Sequence, residues 1–484
     1  MILTALVLVP ILAGLALYAL PRSAAIAART IAAVVGALAF VATLAGAGTP
    51  DVALRWLARP FSASFHLGFG PVSVWLVALL ALVTFSAALA IPKSPQARGL
   101  AAQLLVLQGA MNGVFLAKDL LLFALFWDLM LLPVFLVLIA GSSHARTAWK
   151  YLVYNLVGGL ALLLATAAYG VLASSTDVLG AGGPHAVLGP VWGSWIFAGF
   201  ALAFLIKTPI FPLHTWMPET YAALPPPMVA VVSAVQSKAG LYGFLLVGLP
   251  LLAPQMAQAR PLAIGLGLAS LLYGALAALA TNDAKRVVAY SSLSHLGLIL
   301  LAVFSGSALA YLGAVVYILA HGLFSAALFI TLGAVERREE TRELTRLGGL
   351  GARNPRLAGA LTLAGLAALG LPGLAGFAGE ILILTGLYRG GLVWPAIVAL
   401  LPIVLASAYM LRIFQGIMNG PEVPDLPVRP DLDRLEGLAL VPLVAALVWL
   451  GVNPSAVTGL GARGAPAAAP AAITSFVGEN PRAH

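Results

Sequence analysis

The chain has 484 residues, 61% of them hydrophobic and only 9% charged, with a formal charge of +9 and no cysteine. So apolar a composition leaves too little polar surface to cover a water-soluble core, which assigns the chain to a bilayer. The missing thiols exclude thiolate-held iron–sulfur clusters, c-type haem attachment and disulfides, so no cofactor is expected in this chain and any redox chemistry lies elsewhere. Its basic residues sit mostly in short loops beside apolar runs, a pattern of membrane topology rather than of nucleic-acid binding.

The apolar runs are about 20 residues long, enough to cross the hydrocarbon as helices, and none alternates at period two as barrel strands do. In chain order they predict fourteen spans, at 2–20, 26–46, 72–92, 99–117, 120–140, 147–172, 191–218, 226–251, 261–281, 286–305, 308–335, 358–388, 392–415 and 436–453. Nothing basic precedes the first run and no small-residue cleavage pattern follows it, so it reads as a retained helix. Between the second and third runs, Phe61, Ala63, Phe65, Leu67 and Phe69 alternate with Ser62, Ser64, His66 and Gly68, which predicts a short β-hairpin. The Gly/Ala/Pro-rich stretch 461–472 is expected to be irregular.

With the first terminus outside, seventeen basic residues fall in cytoplasmic loops, among them Arg98, Arg146, Lys150, Lys285, Arg286, Arg337, Arg338 and Arg356. Only Arg55, Arg59, Lys118, Arg260, Arg389, Arg463 and Arg482 fall outside. The positive-inside rule therefore puts both termini outside a bacterial inner membrane.

Two spans carry helix breakers in mid-run: Lys207-Thr208-Pro209-Ile210-Phe211-Pro212 in the seventh and Gly370-Leu371-Pro372-Gly373-Leu374-Ala375-Gly376 in the twelfth. Irregular backbone at membrane depth is tolerated only where protein or a wet cavity satisfies it, so both breaks mark a pathway. Each is the fourth span of a five-span unit, 4–8 or 9–13, and an odd number of crossings inverts the second unit relative to the first. The expected organisation is three N-terminal helices with an outer hairpin (1–97), two five-helix repeats (98–251 and 252–418), and a last helix with its tail (419–484).

Inside the spans four charged side chains remain: Asp128, Lys207, Lys238 and Glu380. Each costs at least about 2.5 to 3.5 kcal/mol at the bilayer centre, so the set requires a reason. Static ion pairs that fix helix positions are one; a path for protons is the other. Desolvation disfavours the charged form of either group and a nearby opposite charge favours it, so shifting a carboxylate relative to a lysine loads or releases a proton. Lysine suits that work better than arginine, which stays charged. His295 and His321 lie within spans ten and eleven and His214 follows the first break, all three candidates for a proton relay. No metal-ligand spacing, phosphate-cradling loop or Ser/His/Asp set is present, and Gly348-Gly349-Leu350-Gly351 lies in a charged loop with no preceding strand.

The run Lys207 to Pro218, Lys238 with Gly240 and Tyr242-Gly243, Asn282-Asp283-Ala284-Lys285-Arg286 leading to Ala289 through Gly297, and His321 through Phe329 together resemble the antiporter-like membrane subunits of respiratory complex I and of Mrp antiporters. Gly379-Glu380 after the second break looks like the chain M type of NADH:quinone oxidoreductase, where the N and L types carry lysine. The chain also ends soon after span fourteen, without the long lateral helix familiar from the L type. The resemblance implies a non-redox subunit of a proton-translocating enzyme, embedded among other membrane subunits and neighbouring antiporter-like chains. It also implies that Asp128 tunes Lys207, that Lys238 relays through the histidines, and that Glu380 exchanges protons with the outside. A cation/proton antiporter subunit of an Mrp-type or hydrogenase-linked complex, and a passive scaffold, are the alternatives. Two departures stand out: aspartate, not glutamate, at position 128, and Leu224-Pro225-Pro226-Pro227 in place of the usual Glu-Ala-Pro.

Overall fold

A computed structural model describes residues 1–464 except 22, 59–60, 142–143, 181–187 and 420–429. Backbone that cannot bond to water must bond to itself, and the apolar runs accordingly become helices. The first part holds α1 (Ile2–Ala16), α2 (Ala25–Gly46), α3 (Ser73–Leu89), α4 (Ala97–Leu116), α5 (Leu120–Leu129), α6 (Leu131–Ala140), α7 (Ala145–Ala173) and α8 (Pro190–Lys207). The middle holds α9 (Met217–Ala223), α10 (Pro226–Ala234), α11 (Ala239–Gly243), α12 (Leu249–Leu251), α13 (Ala253–Ala280), α14 (Ala284–Phe304) and α15 (Ala308–Glu339). The last part holds α16 (Leu350–Arg353), α17 (Pro355–Ala368), α18 (Ala375–Arg389), α19 (Val393–Met418), α20 (Arg434–Val452) and α21 (Ser455–Gly464).

Among the described residues twelve helices are long and apolar enough to cross a membrane, and α3 is a shorter apolar helix. The remaining expected span, 358–388, is two helices of 14 and 15 residues, α17 and α18, separated at its predicted break. The chain is thus an all-α, multi-pass membrane protein. The stretch 455–464, whose start was expected to follow the last span and whose end to be irregular, is helical, and the rest of the predicted tail lies outside the described residues.

Two strands pair antiparallel, β1 (Val52–Arg55) with β2 (Ser64–Leu67), in the register Val52 to Leu67 and Arg55 to Ser64. The expected hairpin exists, but its alternating run supplies only the second strand. Asp119 ties it to the bundle: one carboxylate oxygen caps α5 by accepting from the amides of Leu121 (2.8 Å) and Leu122 (3.0 Å), and the other accepts from Ser64 N and the Thr176 hydroxyl, both at 2.9 Å. Burial pushes this carboxyl above its usual range, against the pull of those four bonds.

The helices differ in how many sides they bury. Apolar windows of α15 and α14 are 100% and 94% enclosed, whereas α2 and α20 enclose 28%. A helix apolar all round belongs inside, and the inner pair α14–α15 is where the membrane histidines sit. At one end of the bundle the loops are stitched by ion pairs: Lys285 to Glu336 (2.6 Å), Arg342 to Asp283 (2.7 Å), and Arg337 and Arg338 to Glu436 (both 2.7 Å).

Candidate functional site

The first break follows from proline chemistry. Pro209 has no N–H for the Leu205 carbonyl, and that carbonyl instead takes the Ile210 amide at 3.0 Å. The Ile206 carbonyl, so released, is satisfied by the indole N–H of Trp216 at 3.1 Å, and the Phe211 amide by the hydroxyl of Ser270 at 2.9 Å. Lys207 ends α8 just before this rearrangement, buried to 1% exposure. Among the described residues its ammonium has no hydrogen-bond partner, and it stands 5.3 Å from the centroid of the Trp127 ring, a cation–π contact.

Asp128 occupies the end of α5, next to a second irregularity at Met130. Its carboxylate lies against Gly159 of α7, so close that a Cβ there would fall 1.9 Å from Oδ1. Among the described residues no ion pair within 4.0 Å joins Asp128 to Lys207, and Oδ1 is buried without a partner. Any interaction between the two charged groups therefore runs through space and not through contact.

A third irregular stretch was not foreseen. After α10 the chain tightens into a 3-10 turn at Gln236–Lys238, and π-helix follows at Phe244–Gly248. No proline or glycine of its own forces the turn. Tertiary bonds accompany it: the Gln236 amide donates to the Met130 carbonyl (3.0 Å) and to the Tyr151 hydroxyl (3.2 Å), linking this turn to the α5–α6 irregularity. Lys238 is fully buried, its ammonium donating to the Ser233 carbonyl and to Ser237 Oγ (3.3 Å).

From there a polar path runs across the inner helices. Ser233 Oγ meets Ser325 Oγ on α15 at 2.7 Å, one helical turn from His321. The His321 and His295 rings are 5.5 Å apart, edge to face, and both nitrogens of His321 lack hydrogen-bond partners among the described residues. His295 Nδ1 is 2.6 Å from the Tyr317 hydroxyl, which donates to Glu380 Oε1 at 2.5 Å. His214 stands apart. Its ring stacks on Phe211 (5.6 Å) and tilts against Tyr273 (4.9 Å), with no hydrogen bond from Nδ1 to any described residue.

Glu380 is placed by the second break. α17 ends in a Schellman motif: the Leu371 amide bonds back to Leu366 O (3.1 Å) and the Gly370 amide to Ala367 O (3.3 Å), with Gly370 left-handed at φ +67. The chain then re-enters α18 so that Glu380 Oε2 faces Gly370. A small cavity of about 10 Å³, on the scale of one water site, is lined by Ser294, His295, Glu380 and Tyr409 among others.

The structure thus gathers Lys238, His321, His295 and Glu380 into one buried cluster and puts Asp128 and Lys207 in a second. Sequence reasoning missed Tyr317, Trp127 and the Ser233–Ser325 pair. Tyr317 did leave a signal, since it precedes His321 by four residues and so shares its helix face. Among the described residues no three His, Asp or Glu side chains converge as a metal ion would need.

Known proteins resemble this chain in both sequence and fold. Residues 117–406 match the family described as NADH:quinone oxidoreductase/Mrp antiporter, TM. NADH-quinone oxidoreductase subunit M of Pseudomonas aeruginosa is 33% identical over 96% of both chains, and subunit 13 of Thermus thermophilus is 35% identical over 80% of this chain and 81% of its own. Among solved structures, a chain of respiratory complex I from Thermus thermophilus with bound NADH superimposes with a TM-score of 0.85 at 31% identity, covering 99% of this chain and all of its own. A chain of the Mrp complex from Dietzia sp. DQ12-45-1b reaches 0.83 over 98% of this chain and 99% of its own, at 21% identity, a likeness of fold. The chain belongs to the NADH:quinone oxidoreductase/Mrp antiporter transmembrane family.

Proposed function

We propose that this chain is an M-type, antiporter-like subunit of a proton-translocating NADH:quinone oxidoreductase, a non-redox component of that enzyme driven by quinone reduction in other subunits. The observation that carries this reading is the hydrogen-bonded set His295, Tyr317 and Glu380 inside the most enclosed helices, reached from Lys238 through the Ser233–Ser325 pair. A static brace does not need a lysine, two histidines and a carboxylate where apolar side chains pack as well. Asp128 modulates Lys207 electrostatically, Lys238 passes the proton by way of His321 and His295, and Glu380 exchanges it with the far side. His214, beside the first break, is assigned to entry at Lys207. The relatives about a third identical are named for NADH-quinone oxidoreductase, while the Mrp likeness is one of fold, which favours this reading over a cation/proton antiporter subunit.

In this reading the chain crosses a bacterial inner membrane fourteen times with both termini outside, α3 and the pair α17–α18 each completing a crossing. Residues 98–251 and 252–418 are then inverted repeats, and the two proline- or glycine-broken helices hold corresponding places in them. Its neighbours are other membrane subunits of the complex. The test is Lys207→Ala and Glu380→Ala in inverted membrane vesicles, with proton uptake measured against electron transfer. Both variants are expected to assemble and to lower the proton-to-electron ratio; a wild-type ratio in both would leave only a passive scaffold.

A further inference from the structure

The Tyr317 hydroxyl has one proton and two partners. Glu380 Oε1 at 2.5 Å accepts that proton, so the short contact to His295 Nδ1 at 2.6 Å requires the imidazole to carry hydrogen on Nδ1 and donate it to the phenolic oxygen. Among the described residues the hydroxyl makes no other hydrogen bond, and the residue is fully buried. Its ring is held by shape: Gly379, immediately before Glu380, presents no side chain, and a Cβ there would lie 2.7 Å from the Tyr317 Cβ. His295 Nε2 is buried without a hydrogen-bond partner among the described residues, and His295 lines the small cavity it shares with Glu380.

We propose that the Tyr317 hydroxyl is the relay through which Glu380 receives its proton, and that it delivers only when His295 has first taken a second proton on Nε2. This rests on the functional reading above and deepens it. The step is balanced. The His295 Nδ1–H bond breaks as a phenol O–H bond forms, and the former phenol proton passes to Glu380 Oε1. The imidazolium becomes a neutral ring protonated on Nε2, the carboxylate becomes a neutral acid, and the tyrosine is unchanged. Starting instead from a neutral ring would leave an imidazolate, which the site cannot support. Arrival of a proton from the His321 side is therefore the condition for transfer, and the reversed hydrogen bonds, acid to phenol to Nδ1, hold the transferred proton until Glu380 gives it up. The groups around the relay are Glu380 on α18, His295 on α14, His321 on α15 with Tyr317 itself, Tyr409 on α19, and Lys238, whose field reaches both imidazoles.

Three variants of the whole complex in inverted vesicles test it. Tyr317→Phe keeps the ring and removes the hydroxyl; proton uptake through this chain is expected to fall by about a hundredfold, the low side of what a positioned proton donor contributes. Glu380→Gln runs beside it: if that variant pumps as the wild type, the functional reading itself fails, whereas impaired Glu380→Gln with normal Tyr317→Phe overturns the relay alone. Site-specific replacement of Tyr317 by 3,5-difluorotyrosine preserves shape and strengthens the donor. A stronger donor favours the ionised carboxylate, so the pH profile of proton uptake is expected to move towards acid. An unmoved profile would reduce Tyr317 to packing, even if Tyr317→Phe proved too unstable to assemble.

Discussion

Replacing Gly370 by alanine is expected to impair proton uptake by moving a carboxylate ten residues away. The added Cβ would lie 2.2 Å from Glu380 Oε2, where real methyl carbons do not approach under 3.0 Å. The carboxylate must therefore retreat by about 1 Å to reach ordinary contact. If the retreat runs along the bond to Tyr317, the 2.5 Å contact opens to roughly 3.5 Å, outside hydrogen-bonding range. Losing a bond to a charged group costs about 1.5 to 3 kcal/mol, and holding alanine at φ +67 adds roughly 1 to 2 kcal/mol of backbone strain. Gly373 separates the two terms. It is also left-handed, at φ +91, yet its Cβ would meet nothing within 4 Å, so Gly373→Ala carries strain without touching Glu380. The assay is proton uptake per electron in inverted vesicles, with assembly followed on native gels. Gly370→Ala should assemble and pump poorly, and Gly373→Ala should pump far better. Equal pumping by the two variants would refute the displacement and leave backbone strain as the common cause.

At Asp128 the lack of contact with Lys207 makes charge the working quantity; at more than 4 Å and an effective dielectric constant near 20 the coupling stays below about 4 kcal/mol. Asp128→Asn should depress proton uptake strongly, while Asp128→Glu should keep most of it; an asparagine variant that pumps normally would remove the aspartate from the mechanism. For topology, single cysteines at Arg98 and Arg356 in this cysteine-free chain should both label from the cytoplasmic face, and labelling from opposite faces would contradict fourteen crossings.

Much of this architecture was legible in the order of residues because a bilayer leaves the backbone few choices. An apolar run of sufficient length must be a helix, and Pro209 or the Gly370–Gly373 turn must interrupt one, wherever the rest of the chain lies. The same constraint made Lys207, Lys238, Asp128 and Glu380 conspicuous, since a charge in hydrocarbon is costly on any fold. Two features stayed hidden because they depend on neighbours distant in sequence. The 3-10 turn at Gln236–Lys238 contains no breaker and is held from outside, by the carbonyl of Met130 and the hydroxyl of Tyr151. Tyr317 reads as an ordinary apolar-helix aromatic until α14 and α18 pack on either side of α15. Only that packing sets its single hydroxyl between an imidazole and a carboxylate 63 residues further along the chain.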